Sequence, residues 1–170
     1  MRSQPVFRDQ INKTDFDSIK SIVEQAEVFN HAEVQIALEL AEARIEKADA
    51  SGYFFILAEV AQCVTAFTCF GPIPATDHRY EIYWIAVAKS AQGRGLGSAI
   101  LLETEKQIAA ANAKRIYTQT SSLPAYVPAR NFYSKHGYTL EARLAKYHTD
   151  QDDLCIYLKT LEPGSPWVTR

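Results

Sequence analysis

"AVAKSAQGRGLGSAILL", residues 86–102, sets Gly93, Gly95 and Gly97 at every second position between an apolar run and a helical pattern. Glycine weakens any regular element it enters, so three in this rhythm ask for an explanation. Ahead of them, "EIYWIAV" (81–87) is apolar on both faces, as a central strand covered from both sides would be. Alternation along it puts Glu81, Tyr83, Ile85 and Val87 on one face and Ile82, Trp84 and Ala86 on the other. Behind them, Leu96, Ile100 and Ile108 keep a four-residue beat from Gly95 to about Lys114, with Glu103, Lys106 and Gln107 turned outward. A strand that passes through a glycine-rich turn straight into a helix leaves unpaired backbone N–H groups at the positive end of the helix dipole. Anions bind there, and glycine lets a bulky phosphate approach the main chain. The plainer alternative is a tight strand-to-helix turn.

Two phosphate motifs are tested by spacing. No lysine completes a GxxxxGK[ST] loop, and after Gly93 and Gly95 the third glycine of GxGxxG is replaced by Ser98, so both fail.

Working outward, Thr14 and Asp17 frame an amphipathic helix carrying Phe16, Ile19, Ile22, Val23 and Ala26. Asn30 and Glu33 open a second helix, with Val34, Leu38, Ala41, Ile45 and Ala48 on one stripe. "YFFILAE" (53–59) and "CVTAFTCF" (63–70) read as a strand hairpin whose turn lacks glycine. "GPIPATDH" (71–78) is a loop, "RIYTQT" (115–120) a strand, and Pro128 begins a helix that ends before Gly137. "YTLEARLAKYH" and "LCIYLKTL" are the last strands, and the tail 162–170, "EPGSPWVTR", is expected to be loosely held. The order predicts a mixed α/β layer structure in one domain, residues 5–161.

A chain of 170 residues with 47% hydrophobic and 22% charged content can bury a core without metals or disulfides. Net charge −2 and pI near 6.1 give no basic footprint for nucleic acid or an acidic membrane surface. Cys63, Cys69 and Cys155 are an odd count without metal-like spacing, read as small apolar strand residues in a reducing compartment. With no apolar N-terminal run or membrane-length stretch, a cytoplasmic protein with small-molecule partners is expected. His31, His78, His136 and His148 share no ligand spacing, so no metal site is expected.

What does fit is Q-x-x-G-x-G, as Gln92, Gly95 and Gly97. It resembles motif A of the GNAT superfamily of acyl-CoA-dependent N-acetyltransferases, and "ARNFYSKHGY" (129–138) looks like that family's A-x-x-F-Y-x-K-x-G-F segment, in the right order. The resemblance spans roughly residues 5–161. It implies a mostly antiparallel sheet of six to seven strands flanked by about four helices, with acetyl-CoA as co-substrate and no metal. It also implies that the amides of Gln92, Gly93, Arg94, Gly95, Leu96, Gly97 and Ser98 hold the coenzyme A pyrophosphate, Arg94 adding charge. The main chain of Ile85, Ala86 and Val87 would pair with the pantetheine arm where the strand splays from its neighbour. Tyr133 matches the family position that protonates the departing thiolate; otherwise it is a core tyrosine.

Glu81 stands six residues before Val87, the spacing of the catalytic glutamate in some histone-type members. It is read either as the general base, with a pKa raised by an apolar strand, or as a solvated carboxylate at a strand start. Tyr126 stands where many members have a coenzyme-binding asparagine, Asn131 is no substitute, and Thr65 replaces a customary hairpin glycine. The expected reaction is acetyl transfer to the primary amine of a small molecule or peptide by direct attack in a ternary complex. The alternative is a non-catalytic acyl-CoA sensor or interaction domain of the same fold. Asn30 to Ala48 and Gly71 to Arg79 are expected to wall the acceptor pocket, and the acidic run Asp150, Asp152, Asp153 either meets a cationic acceptor or is a solvated loop. A homodimer is a family-level expectation.

Overall fold

In the computed structural model, residues 4–161 are described, so the tail expectation for 162–170 lies outside them. The chain runs β1 (Val6–Arg8), α1 (Phe16–Gln25), α2 (His31–Lys47), β2 (Phe54–Val60), β3 (Cys63–Pro72), β4 (Arg79–Val87), α3 (Leu96–Ala110), β5 (Arg115–Ser121), α4 (Val127–Lys135), β6 (Thr139–Thr149) and β7 (Asp152–Thr160). Seven strands form one sheet in the order β1-β2-β3-β4-β5-β7-β6, antiparallel except where β4 meets β5.

Period-two alternation in β2 sorts the core into two layers. Phe55 and Leu57 face α1 and α2, meeting Ile19, Ile22, Val23, Val34, Ala37 and Ala41. Ile56 and Ala58 face the other way, where Leu96, Ile100, Leu101 and Ile108 of α3 cover the sheet. Polar groups inside are paired: Thr68 and Thr104 share a hydroxyl hydrogen bond of 2.8 Å, and Glu105 accepts from Tyr138 (3.0 Å) and Lys159 (2.7 Å).

Several local readings are corrected. The first helix is opened by Asn12 and Asp15 rather than Thr14 and Asp17, because a 3₁₀ turn over Lys13–Asp15 precedes it and Asp15 accepts from the Asn12 N–H at 2.8 Å. Asp15 is also held by Arg8, which ties this corner to β1. That three-residue strand is too short to leave a periodic signal. In α2 the Asn30–Glu33 capping box is present, but Ala37 joins the buried stripe and Ala48, at φ 47°, lies beyond the helix end. The β2–β3 turn places Ala61 and Gln62 at φ 51° and 64°, the left-handed conformations that glycine or asparagine would adopt more cheaply. Gly71 and Pro72 are strand residues of β3 rather than loop; Cys63 is a strand residue as expected, at the exposed start of β3.

The alternation expected along β4 breaks in the middle. Cys69 pairs with Trp84 but Phe70 pairs with Ile82, which leaves Tyr83 as the extra residue of a β-bulge. Ile82, Ile85 and Val87 therefore pack toward α3, while Tyr83, Trp84 and Ala86 face α1 and α2. The bulge also bends the strand where it matters most. Parallel pairing with β5 covers only Arg79–Ile82 against Arg115–Thr118, and beyond Ile82 the two strands part.

Candidate active site

The parting of β4 and β5 opens a cleft of about 1010 Å³ that reaches both layers of the molecule. On one side lies the glycine turn. Gly93 and Gly95 sit at φ 70° and 81°, so these two are glycine for backbone reasons. Gly97 is different: its φ is ordinary and an added Cβ would meet only Phe132 and Val87, at 3.5 and 3.7 Å. All three residues line the cleft, so a side chain at 97 would occupy the cradle itself. No side chain caps α3, and its first intrahelical bond runs from the Ala99 N–H to the Gly95 carbonyl. The N–H groups of Leu96, Gly97 and Ser98 thus have no intrahelical acceptor and stand at the positive helix end. The residues fit a diphosphate by this test.

Gln92 lines the cleft and donates its side-chain amide to the Val87 carbonyl at 3.0 Å, closing the turn on the strand. The Ser98 hydroxyl pairs with His136 Nε2 at 2.9 Å. Arg94 is exposed and lies outside the cleft lining. Ile85 and Val87 line the cleft, whereas the Ala86 side chain is buried against the α1/α2 layer, leaving only its main chain toward the gap.

Tyr133, from α4, lines the cleft with only 6% of its surface exposed. Pro128 in the first turn of α4 and Gly137 at φ 83° beyond its end set the helix bounds. The Tyr133 ring packs against those of Phe132, Tyr138 and Tyr157 at 5.6, 5.6 and 6.0 Å. Burial pushes the phenol above its ordinary value near 10, and a hydrogen bond with Thr118 partly offsets this. The group is therefore a protonated donor throughout the neutral range.

Glu81 is half-buried and does not line the cleft; its carboxylate accepts from Gln119 Nε2 at 2.8 Å, and it is Gln119 that reaches the surface. Burial raises the Glu81 pKa, with the Gln119 bond lowering it in part.

The far side of the cleft is walled by Phe29, Asn30, Glu33, Trp84, Tyr126 and Asp152. Of the expected acceptor walls, the start of α2 takes part and 71–79 does not. Tyr126 donates to the Val28 carbonyl at 3.0 Å and borders the Phe29 ring, while Asn131 is exposed on α4 and lies outside the lining. The acidic run separates: Asp153 pairs with Arg143 at the surface, whereas Asp152 is buried in the cleft wall. Sequence reasoning missed Gln119, Phe29 and Ser121. Each is polar or aromatic in an ordinary way, and only the parting of the strands gives them a common space. Among the described residues no three His, Cys, Asp or Glu side chains gather as metal ligands, and no helix is long and apolar enough to cross a membrane.

A family model described as Acetyltransferase (GNAT) family matches residues 16–138. The chain is 32% identical to a Desulfovibrio desulfuricans protein assigned to the GNAT family of acetyltransferases, with a TM-score of 0.90 over 92% of this chain and 99% of that one. A Salmonella typhimurium protein solved with its cofactor acetyl-CoA shares the fold at TM-score 0.72 and 20% identity, over 96% of this chain and 97% of its own. The ribosomal-protein-S18-alanine N-acetyltransferase of Escherichia coli does so at 0.75 and 16%, with the same coverage of 96% and 97%. No curated protein sequence matches the chain.

Proposed function

The chain belongs to the GNAT family of acetyltransferases, and from that premise we propose that it moves an acetyl group from acetyl-CoA to a primary amine of a small molecule or peptide, by direct attack in a ternary complex. One observation carries the reading: the gap between β4 and β5 opens beside an uncapped, glycine-led helix start and beside a buried phenol. The Salmonella protein with acetyl-CoA, and a Thermoplasma acidophilum N-acetyltransferase solved with coenzyme A, support the same donor.

Acetyl-CoA, when bound, supplies a thioester carbonyl open to a neutral nitrogen. The Gln92 N–H is taken by the Lys89 carbonyl at 3.4 Å, so the N–H groups from Gly93 to Ser98 hold its diphosphate, and the open edge of β4 at Ile85, Ala86 and Val87 aligns its arm as an added strand would. Phe132 and Val87 stand beside the turn at Gly97. Tyr133 holds the proton that the departing sulfur needs. Glu81 does not line the cleft and the Gln119 amide cannot pass a proton, so Glu81 would take the proton of the incoming amine through water.

Calorimetry with coenzyme A, followed by thiol release from acetyl-CoA over an amine panel, tests the reading. Binding and release with at least one amine are expected. No heat at millimolar coenzyme A overturns it, and binding without release from any amine favours an acyl-CoA sensor of the same fold.

A further inference from the structure

Asp152 has one oxygen at work and one idle. Its Oδ1 accepts from the Ser121 hydroxyl (2.6 Å), the Ser122 N–H (3.0 Å) and the Ser122 hydroxyl (3.3 Å). Its Oδ2 accepts no hydrogen bond among the described residues, although Asp152, 7% exposed, lines the cleft. Burial alone would push this carboxyl up, but the Ser121 and Ser122 hydrogen bonds, with a charge interaction from His148 beside them, outweigh it and hold the group below the usual carboxylate range. It is an anion at neutral pH, and since no buried side-chain oxygen among the described residues lacks a partner, its unpaired Oδ2 is open to the cleft, where a charged donor can reach it.

The surroundings suit a cation. The cleft lining contains Glu33 and Asp152 but neither lysine nor arginine; His148, its one histidine, acts on Asp152 through its charge and leaves Oδ2 without a hydrogen bond. Phe29 lies against Trp84 at 4.7 Å and Tyr126 at 6.3 Å, so aromatic rings border the same space. Ring faces attract ammonium groups. Tyr126 is close enough to both Glu33 and Asp152 that, after burial, their charges help push its phenol up to about 12.

This cation is not the reacting nitrogen. Thr118, which bonds Tyr133, and Ser121, which bonds Asp152, are three residues apart on an unbroken stretch of β5. They therefore point to opposite faces and are separated by roughly 10 Å along the strand. A carboxylate also stabilises the ammonium form of an amine, which cannot attack a thioester. The charge that Asp152 complements belongs to another part of the acceptor.

We propose that the acceptor is an alkyl diamine or polyamine, whose second, protonated amine seats between Asp152 Oδ2 and the aromatic wall of Phe29 and Tyr126 while the first amine reaches the thioester. The inference rests on the transferase reading above and assigns its substrate class.

The test compares putrescine, n-butylamine and γ-aminobutyrate as acceptors for the full chain, by thiol release from acetyl-CoA and by calorimetry of each amine with the coenzyme A complex. Putrescine is expected to be preferred over n-butylamine by roughly tenfold or more, the effect of one charged hydrogen bond, with γ-aminobutyrate poorest. In Asp152→Asn, which keeps an oxygen for Ser121 and Ser122, that preference collapses toward unity. Equal use of putrescine and n-butylamine by the unmutated chain overturns the proposal, as does a preference that survives Asp152→Asn. If the substitution disturbs folding, the ranking of the three amines by the unmutated chain still decides. Asp152-dependent putrescine binding without thiol release removes the transferase reading and leaves the cation site standing, so the two failures are distinct.

Discussion

Replacing Tyr133 by phenylalanine removes one oxygen and leaves the ring in place among Phe132, Tyr138 and Tyr157. The fold should therefore lose only the hydrogen bond with Thr118, about 1 kcal/mol. The catalytic loss is bounded by proton affinities. Burial raises this phenol above its usual value near 10, so complete transfer of its proton to the thiolate is not favoured. In the proposed role Tyr133 donates a strong hydrogen bond while the carbon–sulfur bond breaks, which puts the expected fall in kcat at the low end of general-acid effects, roughly 100-fold. The KM for acetyl-CoA should stay within about twofold, since uniform binding is untouched. Continuous thiol detection with a saturating amine measures both constants. The loss should shrink as pH rises, because free thiolate becomes stable in water without help. A kcat within about threefold of the parent at pH 7 would refute the reasoning and return Tyr133 to the role of a core aromatic.

Three other outcomes are expected. In Gly71→Ala the new Cβ would stand 2.0 Å from the Gly52 carbonyl oxygen, a backbone collision that cannot be relieved by rotation. A cost above about 3 kcal/mol follows, seen as a fall of roughly 6–12 °C in Tm, and a change within about 2 °C would show that the two segments are not in contact. Glu81→Gln should lower kcat/KM by about 100-fold and strip the Glu81 ionisation from the acidic limb of its pH profile; an unaltered limb excludes Glu81 as the proton acceptor. Asp15 is pushed up by burial, but Arg8 and the Asn12 N–H more than reverse this, so its folded pKa lies below 3.8. Its contribution is thus complete above the unfolded value and is lost as pH falls through the folded one. Urea titrations should find the parent losing stability below about pH 4 more steeply than Asp15→Asn.

The glycine turn was legible because its demands are local: positive φ at Gly93 and Gly95 favours glycine in any fold. The same holds for the Asn30–Glu33 capping box and for Gly137 after α4, where a few neighbouring atoms decide the conformation. The β2–β3 turn was harder to read because Ala61 and Gln62 accept left-handed backbone that strand pairing imposes on them. Thr65 hides a second irregularity. It stands in the register shift between β2 and β3 and bonds the Ala58 carbonyl, a role its own identity does not announce.

The site divides along the same line. Taken alone, the residues determined a glycine-led strand-turn-helix and a mixed sheet order, and two spaced motifs suggested an acyl-CoA enzyme with Tyr133 as its acid. Only the folded chain decided that Tyr83 bulges, so that Ile85 and Val87 turn toward α3 while Trp84 turns toward α1 and α2. It likewise chose Asp152 from three neighbouring aspartates and set Gln119 between Glu81 and the cleft. Backbone conformation and capping are settled within a few residues, where sequence is a direct record of the forces. Strand register and the surroundings of a carboxylate depend on segments far apart in the chain, and their energies exist only once those segments meet.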